Sequence, residues 1–285
     1  MKKPVERIPV QKTYKLYIGG AFPRTESGRF YKVEDGRGKL LANMCQASRK
    51  DFRNAVVAAR KAFSDWAGRS AYNRGQILYR VAEILETRRD QFIAELKSQG
   101  LPIAAARDEV DQSIEQLVYY AGWADKYQQI FSTVNPVSSS HFNFSILEPT
   151  GVAGILAPAT PSLLGIVATM APVVCGGNSC VVLASETKPL CSITLAEVLE
   201  TSDFPAGVVN ILTGTRSELL EQFATHMDIN AIVYCGDDAA ELRVVQEGAS
   251  LNVKRVVHCT DTTPTDPYRI LEAQEVKTTW HPIGA

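Results

Sequence analysis

The sequence predicts an α/β fold: a doubly wound parallel sheet with N-terminal helices and a small antiparallel extension. Three observations predict it. From Gly151 onward, short apolar runs rich in β-branched residues recur along the chain. Stretches of helical length and period separate these runs, as βαβ crossovers require. Before residue 130 the dominant signal is amphipathic helix.

In chain order, Lys15 to Ile18 alternates and is closed by Gly19-Gly20, and Phe30 to Val33 alternates and is closed by Asp35-Gly36, which predicts a hairpin-like start. Ser48 stands where an N-cap belongs, ahead of Phe52, Ala55, Val56, Ala59, Phe63 and Trp66 on one helix face. A second helix places Ile77, Leu78, Val81, Ile84, Leu85 and Phe92 on one side, and a third does so with Val110, Ile114, Leu117, Val118 and Ala121. Asp108, Glu109 and Asp111 read as the acidic start of that third helix, favourable at the positive end of its dipole. Strands are expected at Gly151 to Leu156, Ser179 to Leu183, Val208 to Leu212, Ala231 to Cys235 and Arg255 to His258, with a buried helix around Leu163 to Val174. Two segments fall outside this alternation. Phe131 to Leu147 reads as one or two antiparallel strands and Val276 to His281 as another, expected to pair with each other or with another subunit. The domain division that follows is 1–130 with 148–262 as the nucleotide-binding-type unit, and 131–147 with 263–285 as a strand extension for oligomerisation.

Composition excludes some functions. A formal charge of -1, with scattered basic residues, gives no field to gather nucleic acid. No apolar run reaches the roughly 18 residues of a membrane span. The start lacks the apolar core of a secretory signal, so a cytoplasmic location is expected. Six dispersed cysteines form no ligand cluster and are expected to be reduced. His226 and His281 have no ligand-spaced companions, so no metal is expected. Trp66, Trp123 and Trp280 are expected to pack helix faces or an interface.

At Glu148-Pro149-Thr150-Gly151-Val152-Ala153-Gly154 the chain begins to resemble an aldehyde dehydrogenase. The likeness continues through Ala171-Pro172, Gly176-Gly177-Asn178-Ser179, and Phe204-Pro205-Ala206-Gly207-Val208-Val209-Asn210-Ile211-Leu212-Thr213-Gly214. Asn252-Val253-Lys254-Arg255-Val256 follows, and Tyr17-Ile18-Gly19-Gly20 and Ala58-Ala59-Arg60-Lys61-Ala62-Phe63 precede. The order and spacing of these motifs carry the resemblance, over roughly residues 13 to 259. The altered Val182-Leu183-Ala184-Ser185-Glu186 and the tail from Val276 to Pro282 are similar to the catalytically deficient C-terminal half of the family-16 aldehyde dehydrogenases.

The resemblance implies a chemistry whose parts are replaced here. The family uses a Cys thiolate, an oxyanion-holding Asn and a general-base Glu to pass hydride from an aldehyde adduct to NAD(P). Thr160, in Pro158-Ala159-Thr160-Pro161-Ser162, stands at the Asn position; losing such a donor weakens transition-state binding by about 3 kcal/mol. Cys259 stands at the Glu position, where a buried-strand role is expected, and the loop that would carry the nucleophile is not reached before Ala285. No catalytic residue is therefore expected. A degenerate cofactor site is expected at Pro158, Thr160, Glu186, Gly214, Gly236 and Asp237, with Leu183 in place of the family's ribose-binding Lys. Asp237 is expected to cap a helix and to repel a phosphate in the same place. No cofactor is expected, NAD or NADP being the weakened alternative. The expected function is a non-catalytic structural or assembly subunit, partnered by itself or by a full-length aldehyde dehydrogenase. The alternative is a nucleotide-binding subunit of an NAD(P)-dependent aldehyde oxidoreductase complex.

Overall fold

The computed structural model describes residues 10–284. The chain opens with a hairpin, β1 (Phe30–Glu34) and β2 (Leu40–Cys45), followed by helices α1 (Arg49–Gly68), α2 (Ala71–Thr87), α3 (Arg89–Ser98), α4 (Ile103–Trp123) and α5 (Tyr127–Phe131). Then come β3 (Thr133–Asn135), β4 (His141–Pro149), β5 (Val152–Leu156), α6 (Ser162–Cys175), β6 (Ser179–Leu183), α7 (Leu190–Glu200), β7 (Val209–Leu212) and α8 (Arg216–Thr225). The last elements are β8 (Ala231–Tyr234), α9 (Ala239–Ser250), β9 (Arg255–His258), α10 (Tyr268–Leu271) and β10 (Gln274–Pro282).

Strands β5 to β9 form one parallel sheet of order β7-β6-β5-β8-β9. Every residue of β5 to β8 is buried, which is why these strands read as unbroken apolar runs. Phe52, Phe223, Tyr234 and Val245 belong to the core on one face of the sheet, with α1, α8 and α9. The other face carries α6, whose 14 residues are all buried, and behind it α2, α4 and α7. Trp66 joins α1 to α6: it is fully buried, donates from Nε1 to the Val174 carbonyl at 3.0 Å, and packs on Phe204.

The N-terminal region differs from the sequence expectation in three places. The hairpin is made by β1 with β2; Lys15 to Ile18 instead reaches the free edge of the large sheet, where Tyr17 and Ile211 exchange backbone bonds of 2.9 and 2.8 Å. The expected second helix is two helices, broken at Arg88, where the backbone leaves helical dihedrals (φ -104°, ψ 11°) and the side chain reaches Glu197 of α7 (2.5 Å) and Gln91 (3.0 Å), while the apolar period continues across the break. The acidic cluster is not a helix start: α4 begins at Ile103, and Glu109 lies buried on its inner face. Within the expected apolar faces, Phe63 is only partly buried and Val118 is exposed. The N-cap at Ser48 forms as expected, as a capping box in which the Ser48 hydroxyl accepts from Asp51 N–H and the Asp51 carboxylate accepts from Ser48 N–H.

The two outlying segments pair with each other. β4 lies between β10 and β3 in a separate antiparallel sheet, with β10 running nine residues against β4 from Gln274↔Pro149 to Pro282↔His141. Of the segment 263–285, α10 belongs to the main body, since Ile270 is fully buried there. The arm starts at Gln274, whose Nε2 donates to the Gly176 carbonyl at 3.0 Å. Asn178 fixes the same junction: its Nδ2 donates to the Ala273 carbonyl at 2.8 Å and its Oδ1 accepts from Gly151 N–H at 2.9 Å.

Candidate functional site

Open parallel sheets bind ligands at the carboxyl ends of their strands, in the crevice where strand order reverses. Here that point lies between β5, from which the chain winds to β6 and β7, and β8, from which it winds to β9. A cavity of about 360 Å³ opens there, lined among others by Pro158, Thr160, Arg216, Gly236, Asp237 and Cys259. Four of the six sequence-predicted site residues, Pro158, Thr160, Gly236 and Asp237, therefore meet at one crevice.

Glu186 and Gly214 lie outside it. Glu186 sits at the start of α8, where its carboxylate accepts from Arg216 N–H at 3.1 Å. Gly214 is a packing position, since a Cβ there would stand 3.1 Å from the Ala47 nitrogen. Leu183 is buried at the end of β6.

Asp237 does not cap α9. The cap is Asp238, whose Oδ1 accepts from Ala240 N–H (2.7 Å) and Glu241 N–H (3.3 Å); Asp237 is one residue too early to reach the first-turn donors and is exposed.

Arg216, the first residue of α8, was not legible as a site residue in the sequence. Its guanidinium spans the switch point, donating to the Cys235 carbonyl at 3.0 Å and to the Ala157 carbonyl, pairing with Glu241 at 3.4 Å, and lying over the Tyr234 ring. It thus binds the carbonyls just beyond β5 and β8. Gly236 gives no extra room, because a Cβ there would stand 2.6 Å from the Tyr234 hydroxyl and 3.0 Å from Arg216 Nη1. Its carbonyl accepts from His258 Nε2 at 2.8 Å.

Helix N-termini at such a crevice are the usual seats for phosphate, because their first N–H groups lack partners. In this chain a side chain already takes at least one N–H at each of the four that follow β5 to β8. Glu109 accepts from Leu163 N–H (2.7 Å) and Leu164 N–H (3.4 Å) at α6, and Gln99 accepts from Leu190 N–H (3.2 Å) at α7. Glu186 serves α8 and Asp238 serves α9. Burial pushes the Glu109 carboxyl above the ordinary glutamate range, against the pull of these backbone bonds. At the crevice rim Asp261 is held below the usual carboxylate range by the Thr263 N–H, bonded at 2.8 Å, which favours its charged form. With Asp237 and Asp261 at the rim and Arg216 committed to two carbonyls and Glu241, the residues present do not fit a pyrophosphate. Among the described residues no His, Cys, Asp and Glu gather as a metal site.

Cys259 also departs from expectation. It lies just past the end of β9, partly buried at the crevice, with Arg269 Nη1 3.4 Å from its sulfur.

The family model described as "Aldehyde dehydrogenase family" matches residues 22–261. The chain belongs to the aldehyde dehydrogenase family. It is 32% identical over 260 residues to omega-crystallin of Enteroctopus dofleini, covering 88% of this chain and 51% of that protein. To the cytosolic 10-formyltetrahydrofolate dehydrogenase of Mus musculus it is 29% identical over 262 residues, covering 90% of this chain and 29% of that protein. Among solved structures, the NAD+ complex of an aldehyde dehydrogenase from Bacillus cereus superposes with a TM-score of 0.82 at 27% identity, over 86% of this chain and 50% of that one. PnpE of Pseudomonas sp. WBC-3 in complex with nicotinamide adenine dinucleotide gives 0.82 at 29% identity over the same shares. This aldehyde dehydrogenase-family chain thus spans about half the length of these relatives or less. It comprises the parallel-sheet unit and the antiparallel arm. Among the described residues no helix is long and apolar enough to cross a membrane.

Proposed function

We propose that this aldehyde dehydrogenase-family chain is a non-catalytic assembly subunit, which pairs through its three-stranded arm with a second copy of itself or with a full-length aldehyde dehydrogenase. The single observation that carries this reading is the outer edge of β10. Among the described residues its nine positions pair on one side only, with β4, and all but the first are exposed. An edge of that length offers a row of free N–H and C=O groups, the ordinary template for strand addition. Apolar side chains accompany it: Val276 and Trp280 on β10, Phe142 and Ile146 on β4 and Val134 on β3 are all exposed.

The non-catalytic half of the proposal rests on the crevice. By the resemblance, Thr160 and Cys259 stand where the family places an oxyanion donor and a general base, and carboxylate or amide side chains occupy N–H groups at the helix ends that would take a phosphate. NAD and NADP are accordingly expected to bind weakly or not at all. A cytoplasmic location accords with six unpaired cysteines.

Sedimentation of the purified chain, alone and mixed with a full-length family member from the same organism, tests the proposal. The expected result is a dimer or larger species, or a mixed complex, that Trp280→Asp weakens. A strict monomer under both conditions sinks it. Calorimetric titration with NAD and NADP separates the rival reading of a nucleotide-binding subunit: saturable binding in the micromolar range, about 8 kcal/mol, decides for the rival.

A further inference from the structure

Two cysteines of separate sequence segments meet at the crevice. β8 and β9 are parallel and in register at Tyr234↔His258, and Cys259 N–H donates to the Tyr234 carbonyl at 2.9 Å. The next step of the ladder sets Cys235 beside Cys259. Partners in a parallel ladder project from the same face and lie about 4.8 Å apart, inside the Cα window of about 4.4–6.8 Å that a disulfide accepts. Val233 and Cys235 on one strand, with Val257 on the other, face the α6 side, and Cys259 packs against that same core.

The pair is asymmetric in burial. Both cysteines line the cavity, but Cys235 is only 2% exposed whereas Cys259 is partly buried. The neighbouring Cys235 thiol, then the charge of Arg269, hold the Cys259 thiol below its usual range in spite of partial burial, and the same proximity pushes Cys235 up; the Cys259 sulfur also lies 3.4 Å from the Asp261 carbonyl. Arg269 is itself placed by α10, with its second nitrogen donating to the Asp261 carbonyl. Burial pushes the thiols of Cys175, Cys180 and Cys191 up instead. A partly buried, cavity-lining thiol beside a cation, with a second thiol in bridging position, is the arrangement of an attacking and a resolving cysteine.

We propose that Cys259 and Cys235 form a peroxide-responsive thiol pair that closes into a disulfide across the ends of β8 and β9. The Cys259 thiolate attacks one oxygen of a hydroperoxide. The O–O bond breaks, the leaving oxygen takes up the proton that the thiol released and departs as water or alcohol, and Cys259 becomes a sulfenic acid. The Cys235 sulfur then attacks the Cys259 sulfur; the S–O bond breaks, the thiol proton leaves with that oxygen as water, and the S–S bond forms. Two thiols are oxidised by two electrons and one peroxide is reduced. The pair stands independently of the assembly proposal.

The test treats the reduced full chain with hydrogen peroxide at near-stoichiometric dose, followed by peptide mass mapping without reductant. The expected product is a single cross-linked peptide pair joining Cys235 to Cys259, lighter by two hydrogens than its parts. Cys235→Ser is expected to stop at a Cys259 sulfenic acid that dimedone traps, and Cys259→Ser to leave Cys235 unmodified at the same dose. Arg269→Gln is expected to slow alkylation of Cys259 at neutral pH by on the order of tenfold, with Arg269→Lys recovering most of it. Oxidation spread over the other cysteines, a cross-link between two copies, or Cys259 no faster than an unfolded thiol would overturn the proposal. Circular dichroism melts on each serine variant keep a folding defect distinguishable from a chemical one.

Discussion

Burial of Glu109 against the first turn of α6 is the residue-level feature with the clearest solution signature. Its carboxyl is raised, so below the ordinary glutamate range folded and unfolded chains are both protonated and its contribution is fully present. As pH rises through that range the unfolded chain ionises first, and stability is lost until the folded carboxyl ionises too. Glu109→Gln keeps a carbonyl oxygen to accept from Leu163 N–H and removes this loss. The variant is therefore expected to match the wild type near about pH 4 and to be the more stable near about pH 7. Denaturant titrations at the two values check it; a wild type that gains on the variant with rising pH contradicts the sign. A second pair of substitutions separates two adjacent carboxylates. Asp238→Ala removes the α9 cap and is expected to lower stability by about 1 kcal/mol, whereas exposed Asp237→Ala is expected to stay within about 0.5 kcal/mol. Equal effects would return the cap to Asp237.

The arm strand makes the corresponding case for an element. Proline in mid-strand removes a backbone donor and bends the run, so Thr278→Pro strikes the centre of β10, where Thr278 faces Ser145 and their hydroxyls bond at 2.8 Å. The expected outcome is association weakened by at least on the order of tenfold, about 1.4 kcal/mol, with far-ultraviolet ellipticity from the helical body nearly unchanged. Unaltered sedimentation would show that β10 is not the docking edge. The same scale explains what the sequence disclosed. Ala231 to Tyr234 and Ser179 to Leu183 were legible because a strand buried on both faces must be apolar throughout. β2 was not, since Leu40 to Cys45 alternates weakly and includes Asn43. Nor was the break at Arg88, where the apolar period runs on and the backbone alone departs from the helix. The crevice was legible by its glycines and prolines. Part of its contents was not: Arg216 and the meeting of Cys235 with Cys259 depend on distant elements that no local pattern relates.

For the whole molecule, the two sheets have very different support. The large sheet has apolar layers on both faces, and its core runs unbroken from Tyr14 and Met44 through Trp66, Leu85 and Leu117 to Ile166 and Leu195. Breaking any one layer exposes the others, so this body, including α1 to α4, is expected to unfold as one cooperative unit. Among the described residues the arm has no such layer over β10, whose residues beyond Gln274 are all exposed. It is anchored at its base by Gln274, Asn178 and Gln128, the last donating to the Leu147 carbonyl at 3.1 Å. Local opening of the distal arm therefore needs little apolar exposure, whereas opening of β5 or β6 requires global unfolding. Hydrogen exchange is expected to be at least on the order of a hundredfold faster in residues 276–282 than in residues 152–156 for dilute protein. If strand addition buries the β10 edge, that fast exchange slows as concentration rises while the body stays constant. Exchange of the arm that is already slow in the monomer, or that ignores concentration in a sample shown to associate, would place the contact on another surface.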